Sequence, residues 1–474
     1  MSRPRVLLVG VNARSIQANP ALYSLRRAAA RQGMGDMLRI YEYALHTPHQ
    51  QILAELYEAQ PDIIAFSLYV WNARMIISLI GDLRRVMPRL KIIAGGPEAT
   101  ARGSHYLRHL PADAICIGEG EESFCAWLCA LAERGLSAAG DQPLPVTPGF
   151  LVAGAEESYC PAPLPDMAAL SFPYDEETAA YLRGQAKLVY YEASRGCPHH
   201  CSFCASARQK LRERPLELVF PELARLAEIG GQIKFIDRTF NADPGRAIVI
   251  TREILRLHRQ GLSWHFEVSP FDLPEELLAL WCDAPKGYFH LEIGVQTLTP
   301  AALRAVGRRG EWSAAEPQVR RLINSRGSHV HLDLIAGLPG DTRRGFEQSF
   351  HRLHQLNADY LQFGFLKVLP GSPLAGQAAE LGLIFSGEPP YQVLATPDMS
   401  PADLFALHRA ERAFNALYNK TRDFRDSLLD LAEQSGNALR IYDRAADLMQ
   451  WRGLNRGEAA ALVQRLANEN SGRE

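Results

Sequence analysis

The chain has 474 residues, of which 47% are hydrophobic and 22% are charged, and its formal net charge at pH 7 is -2. This length exceeds what one hydrophobic core usually serves, so we expect two or three domains. The composition excludes a largely disordered chain, and the near-neutral charge gives no electrostatic reason to expect nucleic acid or an anionic membrane as a partner.

The first residues, MSRPRVLLVGVNARSIQANP, contain an apolar run too short for a signal peptide, and no stretch approaches about 18 apolar residues. We therefore expect a cytoplasmic protein without a membrane partner. In that reducing compartment the eight cysteines are not expected to form disulfides. Five of them are scattered through apolar surroundings and are interpreted as small buried hydrophobic residues: Cys116, Cys125, Cys129, Cys160 and Cys282.

Residues 1–135 alternate short apolar runs with amphipathic segments. The runs are RVLLVGV (5–11), MLRIYEY (37–43), DIIAFSLYV (62–70), KIIAGG (91–96) and DAICIGEG (113–120). Strands that alternate with helices predict a parallel sheet that is covered on both faces. Five such strands predict a doubly wound, flavodoxin-like α/β domain, in which ligands bind at the carboxyl ends of the strands.

Residues 136–180 have prolines too densely placed for a helix or a central strand, which predicts a linker. Over residues 181–390 the alternation returns and predicts a second α/β unit. Its strand-like runs are KLVYYEASRG (187–196), QIKFIDRTF (232–240), SWHFEVSP (263–270), YFHLEIGVQ (288–296), HVHLDLIAGLPG (329–340) and YLQFGFLKVLPG (360–371). Residues 391–474 have helical period and composition, so we predict a helical C-terminal region.

Three cysteines, Cys197, Cys201 and Cys204, lie close together in the segment SRGCPHHCSFCASA. Structural zinc normally takes four protein ligands, whereas a [4Fe–4S] cluster held by three thiolates keeps one iron open for a ligand that is not protein. Because the triplet follows a strand-like run, we expect it at the carboxyl end of a strand, where α/β folds hold their active sites. Three neighbouring core cysteines, or an incomplete zinc site, remain as alternatives at this point.

The spacing Cys197-x-x-x-Cys201-x-x-Cys204, with Phe203 before the last cysteine, resembles the signature of the radical S-adenosylmethionine (SAM) enzymes. The resemblance implies a partial (β/α)6 barrel in which the three cysteines are the metal ligands of a [4Fe–4S] cluster. It also implies that the open iron binds SAM, with Phe203 near the adenine, and that one electron cleaves SAM to a 5'-deoxyadenosyl radical. A one-electron donor such as flavodoxin or ferredoxin is implied as a partner.

Four further segments resemble the strand ends that this family arranges around SAM. They are FIDRTFN (235–241), LEIGVQT (291–297), LDLIAGLPGDT (332–342) and FLKVLPGSPL (365–374). The resemblance implies cofactor binding by Asp237, although Asp237 departs from the commoner glycine-glycine-glutamate pattern. It implies the same for Glu292 or Gln296, and a close approach of the Gly337 backbone to the adenine.

Acidic residues within or after apolar runs carry a charge that is costly to bury without a partner. Each of them either pairs with a neighbouring arginine to support the barrel or serves the site. We select Arg238, Glu267 and Asp333 as candidate catalytic residues in contact with substrate, because each lies at a predicted strand end.

The first domain resembles the cobalamin-binding module of the cobalamin-dependent radical SAM enzymes. The matching segments follow predicted strands three, four and five and combine small residues with a strand end: SLYVWN (67–72), AGGPEAT (94–100) and IGEGEESF (117–124). The resemblance implies that cobalamin is contacted by Ser67, Tyr69, Trp71, Gly95, Gly96, Pro97, Glu98, Gly118, Glu119 and Gly120. The segment GVNARSIQANPAL lacks the Asp-x-His-x-x-Gly motif that presents a histidine to cobalt in many such modules. A Rossmann-like domain that binds a phosphate or nucleotide, or that has lost its ligand, remains the alternative.

Together the resemblances imply an enzyme that starts radical chemistry on a small-molecule or natural-product-like substrate, with cobalamin-dependent methyl transfer as the outcome. Cyclisation or rearrangement without methyl transfer is the alternative within the same subfamily. A non-catalytic iron–sulfur or cobalamin sensor is the alternative of another class.

Overall fold

A computed structural model describes residues 4–134, 144–207, 209–271, 273–420, 422–449 and 453–470. The chain divides into two compact units. The first contains Met1–Ser194 and Arg212–Lys234, and the second contains Arg195–Leu211 and Phe235–Glu474. Within the described ranges, no helix combines the length and the apolar character needed to cross a membrane.

The first unit contains a six-stranded sheet. Its strands are β1 (Val6–Asn12), β2 (Leu38–Ala44), β3 (Ile63–Ser67), β4 (Lys91–Gly95), β5 (Ala114–Cys116) and β6 (Phe150–Val152). The helices between the first strands are α1 (Pro20–Arg31), α2 (His49–Glu58), α3 (Ala73–Val86), α4 (Pro97–His109) and α5 (Gly120–Glu133). The strand order β2-β1-β3-β4-β5-β6, parallel as far as β5, confirms the doubly wound, flavodoxin-like prediction.

Strand β1 shows why the first sheet could be recognised in the sequence. All of its residues are buried, and its side chains alternate between two hydrophobic clusters. Leu7 and Val9 belong to one cluster, and Val6 and Leu8 belong to the other. A parallel strand that is covered on both faces is a continuous apolar run in the sequence, which is what the segment VLLVGV displays.

Strand β6 lies in the segment that is predicted to be a linker. It pairs antiparallel with β5, with Leu151 opposite Ile115, and it occupies one edge of the sheet. An edge strand tolerates nearby prolines because only one of its sides must be paired. Residues 136–143 of the predicted linker lie outside the described residues. The predicted domain boundaries stay a prediction: 1–135, 136–180, 181–390 and 391–474.

The chain then continues through short strands and two helices. The helices are α6 (Glu176–Gly184) and α7 (Leu216–Ile229), and the strands are β7 (Val189–Tyr191), β8 (Ser194–Arg195), β9 (Arg212–Glu213) and β10 (Gln232–Phe235). The second unit adds the strands β11 (Ser263–Val268), β12 (Phe289–Gln296), β13 (His329–Ala336), β14 (Tyr360–Phe365), β15 (Ile384–Phe385) and β16 (Val393–Ala395). Its helices between these strands are α8 (Pro244–Arg256), α9 (Glu275–Cys282), α10 (Pro300–Ala305), α11 (Trp312–Ser325), α12 (Arg343–His354) and α13 (Pro373–Gln377).

Strands β11 to β14 lie side by side in chain order and are all parallel. In β12 buried residues alternate with half-buried ones, so one face packs on the helices and the other carries polar side chains. All six strands predicted between residues 181 and 390 are present, as β7, β10, β11, β12, β13 and β14.

The C-terminal region is helical, as predicted. Its helices are α14 (Pro401–Phe414), α15 (Arg425–Ser435), α16 (Ala438–Met449) and α17 (Arg456–Asn470). His354 Nε2 lies 2.7 Å from the Tyr442 hydroxyl, which links α12 to α16 in a buried position. The antiparallel pair β15–β16 was not predicted from the sequence, and β16 lies within the segment 391–474 that was predicted to be helical.

Candidate functional site

The three clustered cysteines lie in the loop between β8 and β9. Cys197 and Cys201 are buried, and Cys204 is half-buried. Burial raises the pKa of the Cys204 thiol, while the charge of Arg238 acts in the opposite direction. The loop therefore brings three sulfurs together in a site that is largely shielded from water.

Each of the three sulfurs has a polar atom within reach, and at Cys201 and Cys204 that atom is an N–H donor. The contacts are Thr239 Oγ1 to Cys197 Sγ at 3.6 Å, Arg308 Nη1 to Cys201 Sγ at 3.3 Å, and Ser206 N to Cys204 Sγ at 3.4 Å. The hydroxyl of Thr239 donates its hydrogen to the carbonyl of Arg238 at 2.7 Å. Hydrogen bonds to sulfur stabilise the thiolate, which is the form that binds a metal, and they adjust the potential of an iron–sulfur site. The donor set therefore fits a cluster held by three thiolates.

Backbone contacts hold the cysteine loop in place. Ser202 donates its N–H to the carbonyl of Val306 at 2.8 Å, and its own carbonyl accepts the N–H of Leu374 at 2.8 Å. Gly196 has φ +92, and a Cβ at this position would collide with the backbone of Lys210. Only glycine suits such a conformation and such a close approach.

A cavity of about 110 Å³ collects most of the predicted polar site residues. Its lining includes Arg238, Glu267, Glu292, Gln296, Arg308 and Asp333. Five of these six were predicted from the sequence, three as catalytic residues and two as cofactor ligands. The sixth, Arg308, was not predicted. His199, a residue of the cysteine loop, also lines the cavity, so the loop and the cavity are neighbours.

The carboxylates of the cavity lie next to histidines of the same sheet. Strand register places Glu267, Glu292 and His331 at the same level on β11, β12 and β13. His265 Nε2 is 2.7 Å from Glu292 Oε2, and His331 Nε2 is 3.0 Å from Asp333 Oδ1. These contacts place an imidazole beside each of the two carboxylates.

Glu292, His331 and Asp333 also have the geometry of a cation site. One ligand atom of each lies within 4.8 Å of the other two. Carboxylate and imidazole ligands suit several divalent metals. The contacts of Glu292 with His265 and of Asp333 with His331 already account for this grouping without an ion.

Strand β12 ends in an irregularity that shapes the cavity. Its register with β13 shifts between Gly294 and Gln296, and Gln296 has φ +73. A Cβ on Gly294 would lie 2.5 Å from Gln296 Nε2. A side chain at position 294 would displace the amide of Gln296 from its place in the cavity lining.

The described lining of the cavity does not include Phe203, Asp237 or Gly337. Asp237 is 3% exposed and directly precedes Arg238. Gly337 has φ +83, and a Cβ there would lie 2.7 Å from the side chain of Val393, so the glycine makes room for that residue. The contacts predicted for these three residues with SAM stay predictions.

The three loops predicted to contact cobalamin follow β3, β4 and β5. These strands are neighbours in the first sheet and run parallel. Because the carboxyl ends of adjacent parallel strands share one edge, the loops are brought together there.

The loop after β3 presents an aromatic pair. The rings of Tyr69 and Trp71 are stacked, with centroids 4.3 Å apart and planes 11° apart, and Trp71 is 46% exposed. The Asn72 amide donates to the carbonyls of Val11 and Ser67, each at 3.0 Å, and so anchors the loop to β1 and β3. The result is a supported flat surface that remains open to a ligand.

The loop after β4 depends on close backbone contact. The carbonyl of Gly95 accepts the N–H of Leu68 at 2.7 Å. Gly96 has φ +101, and a Cβ there would lie 2.7 Å from the Leu68 carbonyl oxygen. Glu98 is buried and accepts a hydrogen bond from the Tyr106 hydroxyl at 2.6 Å.

The remaining predicted contacts lie at the starts of two helices. Pro97 begins α4 and is exposed, and Gly120 begins α5. Gly118 has φ +90, with open space where a Cβ would be. Glu119 forms an ion pair with Arg212. The predicted contacts of all these residues with cobalamin stay predictions.

Three family models match the chain. Residues 6–128 match the B12 binding domain, residues 191–353 match the radical SAM superfamily, and residues 379–461 match a protein family of unknown function, DUF4080. The first match covers strands β1 to β5 and the aromatic pair, and the second covers the cysteine loop and strands β8 to β13.

Among curated proteins, the chain is 27% identical over 336 residues to the cobalamin-dependent radical SAM methyltransferase TokK of Streptomyces tokunonensis, covering 66% of this chain and 48% of TokK. It is also 27% identical over 335 residues to an uncharacterised methyltransferase of Pyrococcus horikoshii, covering 66% of this chain and 68% of that protein. The chain spans about half the length of TokK and of a similar carbapenam methyltransferase.

Among solved structures, the radical SAM methyltransferase TsrM of Kitasatospora setae, with cobalamin and a [4Fe–4S] cluster bound, is 17% identical and has a TM-score of 0.66, covering 99% of this chain and 100% of that one. The cobalamin-dependent SAM radical enzyme OxsB is 14% identical with a TM-score of 0.68, covering 98% of this chain and 78% of that one. These likenesses show a shared fold. With a B12 binding domain followed by a radical SAM domain, the chain is homologous to cobalamin-dependent radical SAM methyltransferases such as TokK.

Proposed function

We propose that the chain is a methyltransferase that cleaves SAM reductively at a [4Fe–4S] cluster and transfers a methyl group from cobalamin to a small organic substrate. The observation that carries this proposal is the environment of Cys197, Cys201 and Cys204. Cys201 and Cys204 each have an N–H donor to sulfur, and the loop adjoins a cavity lined by both arginines and carboxylates.

When bound, the cluster supplies the electron for SAM cleavage and the corrin carries the methyl group. The chain's own residues bind and orient. Arg238 and Arg308 are the cations of the cavity and suit the carboxylate of SAM. The Nε of Arg308 is buried and, among the described residues, has no acceptor, so it suits an incoming one.

The opposite charge in the cavity comes from Glu267, Glu292 and Asp333. Glu292 and Gln296 suit the ammonium group and the ribose hydroxyls of SAM, because carboxylates and amides accept hydrogen bonds from both. We assign substrate contact to Arg238, Glu267 and Asp333, the residues selected as catalytic candidates from the sequence.

The proposed corrin site is the carboxyl edge of the first sheet. The flat face of Trp71, stacked on Tyr69, suits the corrin plane. The loops at Gly96 and Gly118 bring backbone without side chains to the same edge, which suits the close approach of a large ligand. Residues 10–22 contain no histidine, so we propose that the segment after β1 provides no histidine ligand to the cobalt.

The proposed substrate is a small molecule or a natural product, and the proposed partner is a one-electron donor such as a flavodoxin or ferredoxin. TokK, TsrM and the Pyrococcus protein are all named as methyltransferases. These names support methyl transfer over cyclisation or rearrangement.

The test is anaerobic reconstitution of the chain with iron and sulfide, followed by incubation with SAM, cobalamin and a chemical reductant. We expect 5'-deoxyadenosine and, when cobalamin is present, S-adenosylhomocysteine, both measured by mass spectrometry. Replacing Cys197, Cys201 and Cys204 together by alanine removes the iron and both products. The matched control is Cys160→Ala, which changes an exposed cysteine and leaves both products unchanged.

The two products separate the candidate functions. Formation of 5'-deoxyadenosine without S-adenosylhomocysteine would contradict methyl transfer and favour cyclisation or rearrangement. Neither product from an iron-loaded chain would contradict the enzyme itself and leave the sensor as the function.

A further inference from the structure

We propose that Arg308 is a positioning residue that holds the sulfur of Cys201 against the end of strand β12. The proposal rests on the proposed function in one respect, namely that Cys201 is a ligand of a [4Fe–4S] cluster. Arg308 lies 107 positions after Cys201 in the chain. It is carried by residues 297–308, here called the tether, which run from the end of β12 through the short helix α10.

The first part of the tether is anchored to a buried carboxylate. The hydroxyls of Thr297 and Thr299 donate to Asp341 at 2.9 Å and 2.8 Å, and Asp341 is fully buried. The N–H of Leu298 donates to the Ser349 hydroxyl at 3.1 Å. These contacts attach the start of the tether to the loop after β13 and to helix α12.

The last part of the tether lies directly on the cysteine loop. The carbonyl of Val306 accepts the N–H of Ser202 at 2.8 Å. Gly307 has φ +66, and a Cβ on it would lie 2.9 Å from the carbonyl oxygen of His200. The backbone at residues 306 and 307 therefore touches the two residues on either side of Cys201.

Arg308 uses two nitrogens of one planar group to connect the cysteine loop and β12. Its Nη1 lies 3.3 Å from Cys201 Sγ, and its Nη2 donates to the carbonyl of Gly294. The guanidinium keeps its charge at any relevant pH and presents its N–H groups in a rigid fork. A lysine at this position keeps the charge but has one nitrogen, so it cannot make both contacts with the same geometry.

This contact has two consequences. The first is positional, because a residue tied to β12 restrains Cys201 whether or not iron is bound. The second is electrostatic, because a charged donor stabilises the added negative charge of a reduced cluster and so raises its reduction potential.

The test compares Arg308→Met and Arg308→Lys with the control Arg309→Met, which removes the same charge from an exposed neighbour. In the iron-free chain, hydrogen exchange is measured for the peptide that covers residues 197–204. We expect exchange several-fold faster in Arg308→Met, an intermediate effect in Arg308→Lys, and no change in Arg309→Met. In the reconstituted chain without SAM, we expect the midpoint potential, followed by electron paramagnetic resonance, to become more negative in the same order.

Exchange and potential in Arg308→Met that both equal the wild-type values would overturn the proposal, and so would equal changes in Arg309→Met. If Arg308→Met does not fold, the same two measurements are made on Arg308→Lys, for which we expect smaller changes in exchange and in midpoint potential. If the wild-type chain assembles no cluster, the proposed function fails, whereas the exchange measurement still decides whether Arg308 positions the loop.

Discussion

Two regions of the molecule use the same part of a parallel sheet in different ways. At the edge of the first sheet, the loops after β3, β4 and β5 offer glycine backbone and an exposed aromatic pair. At the cavity of the second unit, strands β11, β12 and β13 offer carboxylates and histidines, with arginines from adjoining segments. The first region therefore offers an aromatic surface and close backbone approach, whereas the second offers charged side chains.

The difference matches the ligands that we propose for the two regions. A large flat ligand is bound mainly through surface contact and requires loops that leave room for it. A small zwitterion such as SAM is bound mainly by opposite charges, whose effect increases where water is excluded. We therefore expect substitutions that alter the backbone conformation to destabilise the first region most. We expect changes of pH to alter the stability of the second unit.

The largest expected effect comes from Gly96→Ala in the first region. Gly96 has φ 101 and ψ 178, a conformation that is essentially restricted to glycine, and the new Cβ would lie 2.7 Å from the Leu68 carbonyl oxygen. We expect the free energy of unfolding to fall by roughly 3–4 kcal/mol, measured by chemical denaturation of the iron-free chain.

The matched control for Gly96→Ala is Gly118→Ala in the neighbouring loop. Gly118 also has a positive φ of +90, but a Cβ there meets no atom within 4 Å. Only the backbone strain remains, and we expect a loss of roughly 1–2 kcal/mol. If both variants lose the same free energy of unfolding, the close contact of residue 96 with the Leu68 carbonyl oxygen does not contribute to the effect of Gly96→Ala.

The next effect concerns the charge of Asp341, which anchors the tether in the second unit. Burial raises the pKa of Asp341 from 3.8 to about 6, although hydrogen bonds from Thr299 and Thr297 act in the opposite direction. Between these two pH values the folded chain binds more protons than the unfolded chain. This contribution to stability is therefore complete below about pH 4 and is lost as the pH rises through about 6, a change of about 3 kcal/mol.

Asp341→Asn removes this titration. We expect the difference in unfolding free energy between wild type and Asp341→Asn to shift by about 3 kcal/mol, in the direction that favours the variant, as the pH rises from about 4 to about 7. The control is Asp430→Asn, which changes an exposed carboxylate on α15. If the difference in unfolding free energy between wild type and Asp341→Asn stays constant with pH, the raised pKa of Asp341 is contradicted.

The two regions also differ in how far the sequence could predict them. Strands such as β1 and β3 are continuous apolar runs because both of their faces are buried, and the loops that follow them could be located directly. The cysteine triplet is local and was recognised from its spacing. Five polar residues of the cavity were predicted because they lie on or just after strand-like runs.

Arg308 was not predicted because its role depends on tertiary contact. Nothing local distinguishes it from Arg309, and its partner Cys201 is 107 positions away. The edge strand β6 was missed for a related reason, since its three residues lie among prolines and are specified by pairing with β5.

The smallest expected effect is that of Trp71→Ala in the first region. Trp71 is 46% exposed, but it stacks on Tyr69 and its Nε1 donates to the carbonyl of Val11 at 3.3 Å, so its loss should lower the free energy of unfolding by about 1 kcal/mol. The part of the ring that Tyr69 does not cover should contribute about 1 kcal/mol to binding of a flat ligand, so we expect cobalamin to bind roughly fivefold more weakly in an absorbance titration. Trp71→Phe keeps an aromatic face and should restore most of the affinity, whereas Tyr57→Ala, at a residue 48% exposed on α2, should change nothing. An unchanged cobalamin affinity in Trp71→Ala would mean that Trp71 does not contribute to corrin binding. The glycine-containing loops after β4 and β5 would then form the binding surface without an aromatic contact.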